Sequence, residues 1–242
     1  MSENPSTLTA RGVVQGLVDA GVEHVVLCPG SRSAPLAYAL HAAEQAGLLS
    51  VHVRVDERSA AFTALGVGNG AGPAAVVTTS GTAVANLLPA VWEAHHGLVP
   101  LLLLTADRPA RLRGTWANQT TPLQAGVFAE AALLHLDLDA EDDLDWAGVV
   151  VRAVARTLGV AGDGSRDGRR GPVHLDLGFD DPLVPEDVWW EPEPRRAPAV
   201  LEALDDLRLD TDRPVADLAD LADPSDLTAP AEPGVDPDAP VE

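Results

Sequence analysis

The residues that could carry chemistry fall into five short segments, each close behind an apolar run. Pro29-Gly30-Ser31-Arg32-Ser33 offers hydroxyls, a guanidinium and free backbone N–H groups where a turn feeds a helix. That combination suits a carboxylate or a phosphate. An ordinary turn with a solvent-facing arginine has the same composition, and the turn by itself leaves both readings open. In Asp56-Glu57, a glutamate in the first turn of a helix is commonplace because the helix dipole favours it. Held in an apolar crevice, however, a carboxylate can trade a proton with a ring nitrogen. Thr79-Ser80-Gly81-Thr82-Ala83 places small residues where a backbone can approach a flat ligand, although helix capping by Ser80 or Thr82 explains the same types. Asp107-Arg108-Pro109 follows a wholly apolar strand, and Asn118-Gln119 lies in a loop longer than a connector needs. Arg32 and Arg108 on one rim would suit a substrate that carries carboxylates.

The elements that must position these segments alternate between helical and strand patterns over residues 1–185. Helices fit Thr7–Ala20 (capped by Ser6 or Thr7), Ala34–Ala46, Glu57–Gly68 (capped by Asp56), Ala83–His95 and Leu144–Leu158. Strands fit His24–Cys28, Ser50–Val55, Ala74–Thr79, Val99–Leu104, Ala132–Leu136 and Pro172–Leu177, with a polar loop over Thr105–Thr121. Short strands that are apolar on both faces, separated by helices, predict an α/β fold. Its sheet is doubly wound and mainly parallel, with helices on both faces. In such a sheet ligands bind outside the carboxyl ends of the strands, where all five segments fall.

Other candidates are weaker. His95-His96 ends a helix and is expected only to meet its dipole. Cys28 is expected to be a buried strand-end residue with no activating base. Glu141-Asp142-Asp143 reads as a helix N-terminus. No P-loop or nucleophile-elbow pattern stands where it would count.

Composition narrows the partners. The 242 residues include 46% hydrophobic types, enough for a sizeable core, and one cysteine, which excludes a disulfide framework. A net charge of −21 argues against nucleic acid or an anionic membrane surface as partner. All 16 basic residues are arginine. The opening MSENPSTLTA lacks a signal-peptide pattern, and Gly97–Thr105 is too short to span a bilayer, so a cytoplasmic protein is expected. Residues 186–242 read as an acidic, Pro-rich linker or disordered tail, in which a short helix fits Ala199–Leu207. From Glu191 on there are 15 acidic and 4 basic residues, so about half of the negative charge lies outside the expected domain.

Four runs carry a family resemblance: VLCPGSRSAPLAYAL, VDERSAAFTALGVG, VVTTSGTAVANLLPAVWEA and LLLLTADRPARLRGTWANQT. In this order and spacing, over about Thr7–Leu183, the chain resembles the N-terminal pyrimidine-binding domain of the MenD family. These are thiamine-diphosphate-dependent synthases of menaquinone biosynthesis, and four modest motifs in register are specific. The resemblance implies decarboxylation of 2-oxoglutarate and addition of the resulting succinic-semialdehyde equivalent to isochorismate. It implies that Glu57 bonds the aminopyrimidine ring nitrogen and activates the cofactor by sharing a proton, with Pro29, Ser80, Gly81 and Gln119 beside it. It further implies that Ser31, Arg32, Arg108, Asn118 and Gln119 line the substrate pocket. Trp116 departs from the pattern, because a small residue, often glycine, is expected before Ala-Asn-Gln.

In the family the diphosphate is held through Mg²⁺ (or Mn²⁺) by a C-terminal domain with a Gly-Asp-Gly motif and a later asparagine. Here Gly162-Asp163-Gly164 follows a helix rather than a strand, and no asparagine comes after Asn118. The diphosphate site is therefore expected outside this chain, supplied by a homo-oligomer or by a separate chain, and the chain alone is expected to bind the cofactor poorly. The alternative is a non-catalytic homologue that captures a dicarboxylate or serves in assembly.

Overall fold

Asn4 starts the first helix, α1 (Pro5–Asp19), by accepting a hydrogen bond from Ser6 N–H at 3.0 Å. Pro5 fits the first turn because its fixed φ is already helical and it has no N–H to leave unpaired. Ser6 and Thr7 therefore lie inside the helix rather than capping it. These positions come from a computed structural model that describes residues 4–121, 123–160, 168–186 and 190–195. Two expectations, the Gly162-Asp163-Gly164 loop and the helix over Ala199–Leu207, lie outside the described residues. The described residues all belong to the unit that runs to Leu209, and a second unit, Asp210–Glu242, lies outside them.

The sheet contains β1 (His24–Leu27), β2 (Ser50–Val53), β3 (Ala74–Thr78), β4 (Leu101–Asp107), β5 (Leu134–Asp139) and β6 (Pro172–Gly178). Their order is β2-β1-β3-β4-β6-β5, and every neighbouring pair is parallel. Strands β3, β4 and β6 are buried at every residue, whereas the edge strands β2 and β5 are partly exposed. The apolar runs are thus the inner strands of a sheet covered on both faces. Helices α1, α2 (Ala34–Gln45) and α6 (Trp146–Thr157) pack together, as do α3 (Glu57–Gly70) and α5 (Leu88–Gly97). Leu101 to Leu104 are all 0% exposed, each stabilising the fold by about 2 kcal/mol through burial. Between α1 and α6 the backbones nearly touch, since a Cβ on Gly16 would lie 2.7 Å from Ala147 O.

Four local expectations are corrected. The helix read over Ala83–His95 is two, α4 (Thr82–Ala85) and α5. Pro89 cannot donate to the fourth carbonyl before it, and its ring crowds that turn, so the chain breaks at Asn86-Leu87. Strand β4 continues through Thr105-Ala106-Asp107 instead of entering a loop, because β6 runs beside it to the pair Asp107–Gly178. Strand β5 lies about two residues later than expected, paired with β6 over Leu134–Asp139. Asp145, not Glu141-Asp142-Asp143, caps α6, accepting from Gly148 N–H at 3.1 Å, while Asp142 closes a turn on Asp139 N–H at 2.8 Å. Of residues 186–242, the stretch 190–195 lies along α1. Gln15 brackets the Glu193 backbone at 3.1 and 2.9 Å, and Arg195 donates to Val18 O at 3.3 Å.

Candidate functional site

Because all six strands are parallel, their carboxyl ends share one edge of the sheet. The order β2-β1-β3 reverses direction at β1, which opens a crevice between the turns after β1 and β3. The first turn is Pro29–Ser33 and the second Thr79–Gly81. They meet closely: a Cβ on Gly30 would lie 2.4 Å from Thr79 Cβ, so only glycine fits there. Gly81 has φ +84°, a conformation natural to glycine, and it abuts Gln119 from the loop after β4.

That loop is clipped to the β3 turn. Ser80 Oγ donates to Gln119 O at 2.9 Å, and one Arg108 guanidinium nitrogen reaches both Ser80 Oγ and Gln119 O at 2.9 Å. Arg32 from the β1 turn donates to Phe179 O, past the end of β6, at 2.7 Å. Arg108 holds its proton less tightly than usual, first because of burial and then because of the Arg32 charge. Two cations thus face one mouth. Ser80, Gly81, Arg108 and Gln119 are in direct contact, Arg32 is in electrostatic reach, and Pro29, Ser31 and Asn118 are exposed at the rim.

Glu57 comes from the other side, at the first position of α3. Asp56 caps that helix by accepting from Ser59 N–H at 2.7 Å. The Glu57 carboxylate is half-buried and accepts from Asn86 Nδ2 at 3.4 Å. Asn86 sits at the break between α4 and α5. Cys28 lies close by, its thiol pushed up to about 12 by burial and by the charges of Glu57 and Asp56, so it is an inert core group as expected.

Trp116 stands almost wholly in solvent, 97% exposed, with φ +61°. The positive φ gives a physical reason for a glycine at this place.

Below the rim lies a buried polar cluster that the sequence reading missed, apart from Asp107. Thr105 and Asp107 of β4 face His174 and Asp176 of β6, with Gln124 inserted between them. Arg113 reaches in, its Nε 3.0 Å from Asp107 Oδ2, and forks onto Asp137. Although burial opposes its charge, Asp137, Asp107 and Asp176 hold Arg113 protonated. Burial raises the affinity of Asp107 for a proton. The available signal was the alternation in PVHLDLG, two ionisable residues on one face of an otherwise apolar strand.

Gly30 and Gly81 let the two turns and the Gln119 loop pack closely on one another, Glu57 stands half-buried at the start of α3, and Thr79 Oγ1 is buried without a hydrogen-bond partner among the described residues. Among the described residues no cluster of three or more His, Cys, Asp or Glu is placed to hold a metal ion, and no helix is long and apolar enough to cross a membrane. A separate cavity of about 250 Å³, lined by α1, α2, Val184, Pro185 and Trp190, contains none of the predicted site residues.

Comparison with known proteins agrees with this geometry. Residues 8–127 match the family described as "Thiamine pyrophosphate enzyme, N-terminal TPP binding domain". The 2-succinyl-5-enolpyruvyl-6-hydroxy-3-cyclohexene-1-carboxylate synthase of Kineococcus radiotolerans is 54% identical over 187 residues, 75% of this chain and 33% of the relative. The proteins of the same name from Paenarthrobacter aurescens and Nocardia farcinica are 52% and 51% identical, over 74% and 79% of this chain and 30% and 36% of their own length. The chain spans about a third of the length of the curated relatives it matches. Residues 8–127 therefore form a thiamine pyrophosphate enzyme N-terminal TPP-binding domain, and the chain is a homologue of these synthases over about a third of their length.

Proposed function

We propose that this chain supplies the pyrimidine-binding side of the active site of a 2-succinyl-5-enolpyruvyl-6-hydroxy-3-cyclohexene-1-carboxylate synthase of menaquinone biosynthesis. The observation that carries this reading is Glu57, half-buried at the first position of α3, its charge close enough to push up the thiol of Cys28 just after β1. Bound thiamine diphosphate supplies the electron sink for decarboxylation and carboligation, with Mg²⁺ or Mn²⁺ on its diphosphate. Pro29, Ser80, Gly81 and Gln119 line the pyrimidine, and Glu57 shares a proton with its ring nitrogen. Ser31, Arg32, Arg108, Asn118 and Gln119 take the carboxylates of 2-oxoglutarate and isochorismate. A carboxylate placed between Arg32 and Arg108 relieves their mutual repulsion, which supports an anionic substrate over a neutral one.

The metal and the diphosphate are held by a second domain, outside these 242 residues, that assembles against this one. Phe62 on α3 and Trp92 on α5 are 42% and 37% exposed, apolar surface that such an assembly would bury. Residues 186–242 act as the acidic linker that follows the domain, and the assembly works in the cytoplasm.

The test is coexpression with a chain carrying the diphosphate-binding domain of such a synthase, assayed with 2-oxoglutarate and isochorismate. Product formation by the wild-type pair and its loss with Glu57→Gln is the expected result. Equal product from both pairs would overturn the role of Glu57.

A further inference from the structure

The buried polar groups beneath the rim form one directional chain of hydrogen bonds. Gly81 N–H donates to Gln124 Oε1 at 2.7 Å, and Gln124 Nε2 donates to Ala106 O at 3.0 Å and to Asp176 Oδ1 at 2.8 Å. Gly81 N can only donate and Ala106 O can only accept, so the Gln124 amide has a single orientation. Farther in, Thr105 Oγ1 lies 2.6 Å from Asp176 Oδ1 and 2.6 Å from His174 Nε2, and His174 Nδ1 lies 3.2 Å from Ala125 O.

The hydrogens along this chain can be counted. Ala125 O only accepts, so His174 Nδ1 carries a hydrogen. Thr105 has one hydroxyl hydrogen for two close contacts, so one contact needs a hydrogen from its other partner. Either Asp176 is a carboxylic acid or His174 is an imidazolium. Burial decides between them: it pushes the wholly buried His174 down to about 3. It pushes Asp176 up to about 7, with the Asp107 charge adding to the rise. When Asp176 holds its proton it donates to Thr105, Thr105 donates to His174, and His174 to Ala125 O.

We propose that Gln124, its amide fixed by Gly81 N–H, Ala106 O and Asp176 Oδ1, is a positioning residue that sets the Ser80–Gly81 turn against Gln119 and Arg108. The consequence for the site rests on the proposed function, whereas the clamp itself is a property of this chain. Gln124 is the buried partner of Gly81 N–H, and Ser80 next to it carries the clip to Gln119 and Arg108. A displaced Gly81 therefore moves the mouth. The groups that bear on Asp176 are Asp107 on β4, Asp137 on β5, His174 on β6, and the Arg113 guanidinium 3.8 Å from Oδ2, with His135 of β5 facing His174. When Asp176 loses its proton, Thr105 turns its hydrogen to the carboxylate and the His174 contact loses its hydrogen, while Gln124 Nε2 still donates to Asp176 and the clamp on Gly81 holds.

The test uses the full chain, without cofactor, and compares wild type with Gln124→Glu and Gln124→Leu. Hydrogen exchange of the Gly81 amide is followed by NMR relative to Val76 on β3, which corrects for global stability. A protonated glutamate both donates and accepts, as the amide does, whereas a carboxylate opposes Ala106 O and Asp176. In Gln124→Glu, Gly81 is expected to exchange about tenfold faster at pH 8, the equivalent of one lost hydrogen bond, and to regain its protection at pH 5. Gln124→Leu is expected to lose protection at both pH values. In wild type the relative protection is the same at pH 5 and pH 8, because Asp176 Oδ1 accepts from Gln124 Nε2 with or without its proton. Wild-type protection of Gly81 in Gln124→Glu at pH 8, or a loss that is the same at pH 5 and pH 8, would overturn the proposal. Should Gln124→Leu fail to fold, Gln124→Glu at the two pH values still decides it. Failure of the functional reading is distinguishable: Gly81 would still follow Gln124 while product formation ignored Glu57.

Discussion

Replacing Asp176 with asparagine should change how stability depends on pH, in a direction set by the buried cluster. Asp176 is 0% exposed and its affinity for a proton rises from an ordinary 3.8 to about 7, through burial and the Asp107 charge. Between about pH 4 and pH 7 the folded chain holds a proton there that the unfolded chain has released, so stability falls as pH rises through this window. At about 1.4 kcal/mol per tenfold in proton affinity, the loss amounts to at most on the order of 4 kcal/mol. Asp107 shares the titration, so the step belongs to the pair. His174 works in the opposite sense. It titrates at about 3 when folded against an ordinary 6.5, so it contributes stability as pH rises from about 3 to 6.5. In wild type the two trends offset each other, and Asp176→Asn removes the Asp176 share while the His174 trend remains. Urea unfolding followed by circular dichroism at pH 4.5, 6 and 7.5 should show the variant gaining on wild type with each step, by a few kcal/mol in all. A difference between variant and wild type that stays constant across this range would refute the reasoning.

Other consequences are more local. Gly16→Ala should lower stability by about 1–2 kcal/mol in the same unfolding assay. The gain of up to about 1 kcal/mol in helix propensity is outweighed by a Cβ 2.7 Å from Ala147 O, a clash worth about 1–3 kcal/mol. Trp116→Gly should raise the unfolding midpoint. It relieves about 1–2 kcal/mol of left-handed backbone strain at φ +61°, partly offset by the greater freedom of glycine in the unfolded chain. Cys28, buried and with its thiol near 12, should resist iodoacetamide at pH 8 in the native chain and react fully in urea.

The sheet was legible because its strands announce themselves. Val76-Val77 and Leu101–Leu104 are apolar on both faces, and the helices between them carry capping residues such as Asp56 at their starts. The rim was legible for a related reason: in a parallel sheet the residues just after each strand share one edge, so Ser80 and Gln119, 39 positions apart, could be placed together before any contact was known. Gln124 was not legible. It sits in a stretch without periodicity, and its partners Gly81 and Asp176 are 43 and 52 positions away, joined by β4–β6 pairing that no local pattern encodes. The break at Asn86 was hidden because the apolar spacing of LLPAVWEA continues across Pro89, and periodicity is blind to a missing N–H.

Glu57 is the residue on which the proposed function turns. Its role is tested most directly by the rate at which thiamine diphosphate exchanges its C2 hydrogen for deuterium, read by acid quench and proton NMR. The measurement is made in an assembly of this chain with a diphosphate-binding partner, for wild type and Glu57→Gln. Loss of a positioned proton-sharing carboxylate should slow the exchange by about 100-fold or more, with the fold of the variant unchanged by circular dichroism. Equal exchange rates in the two proteins would contradict it.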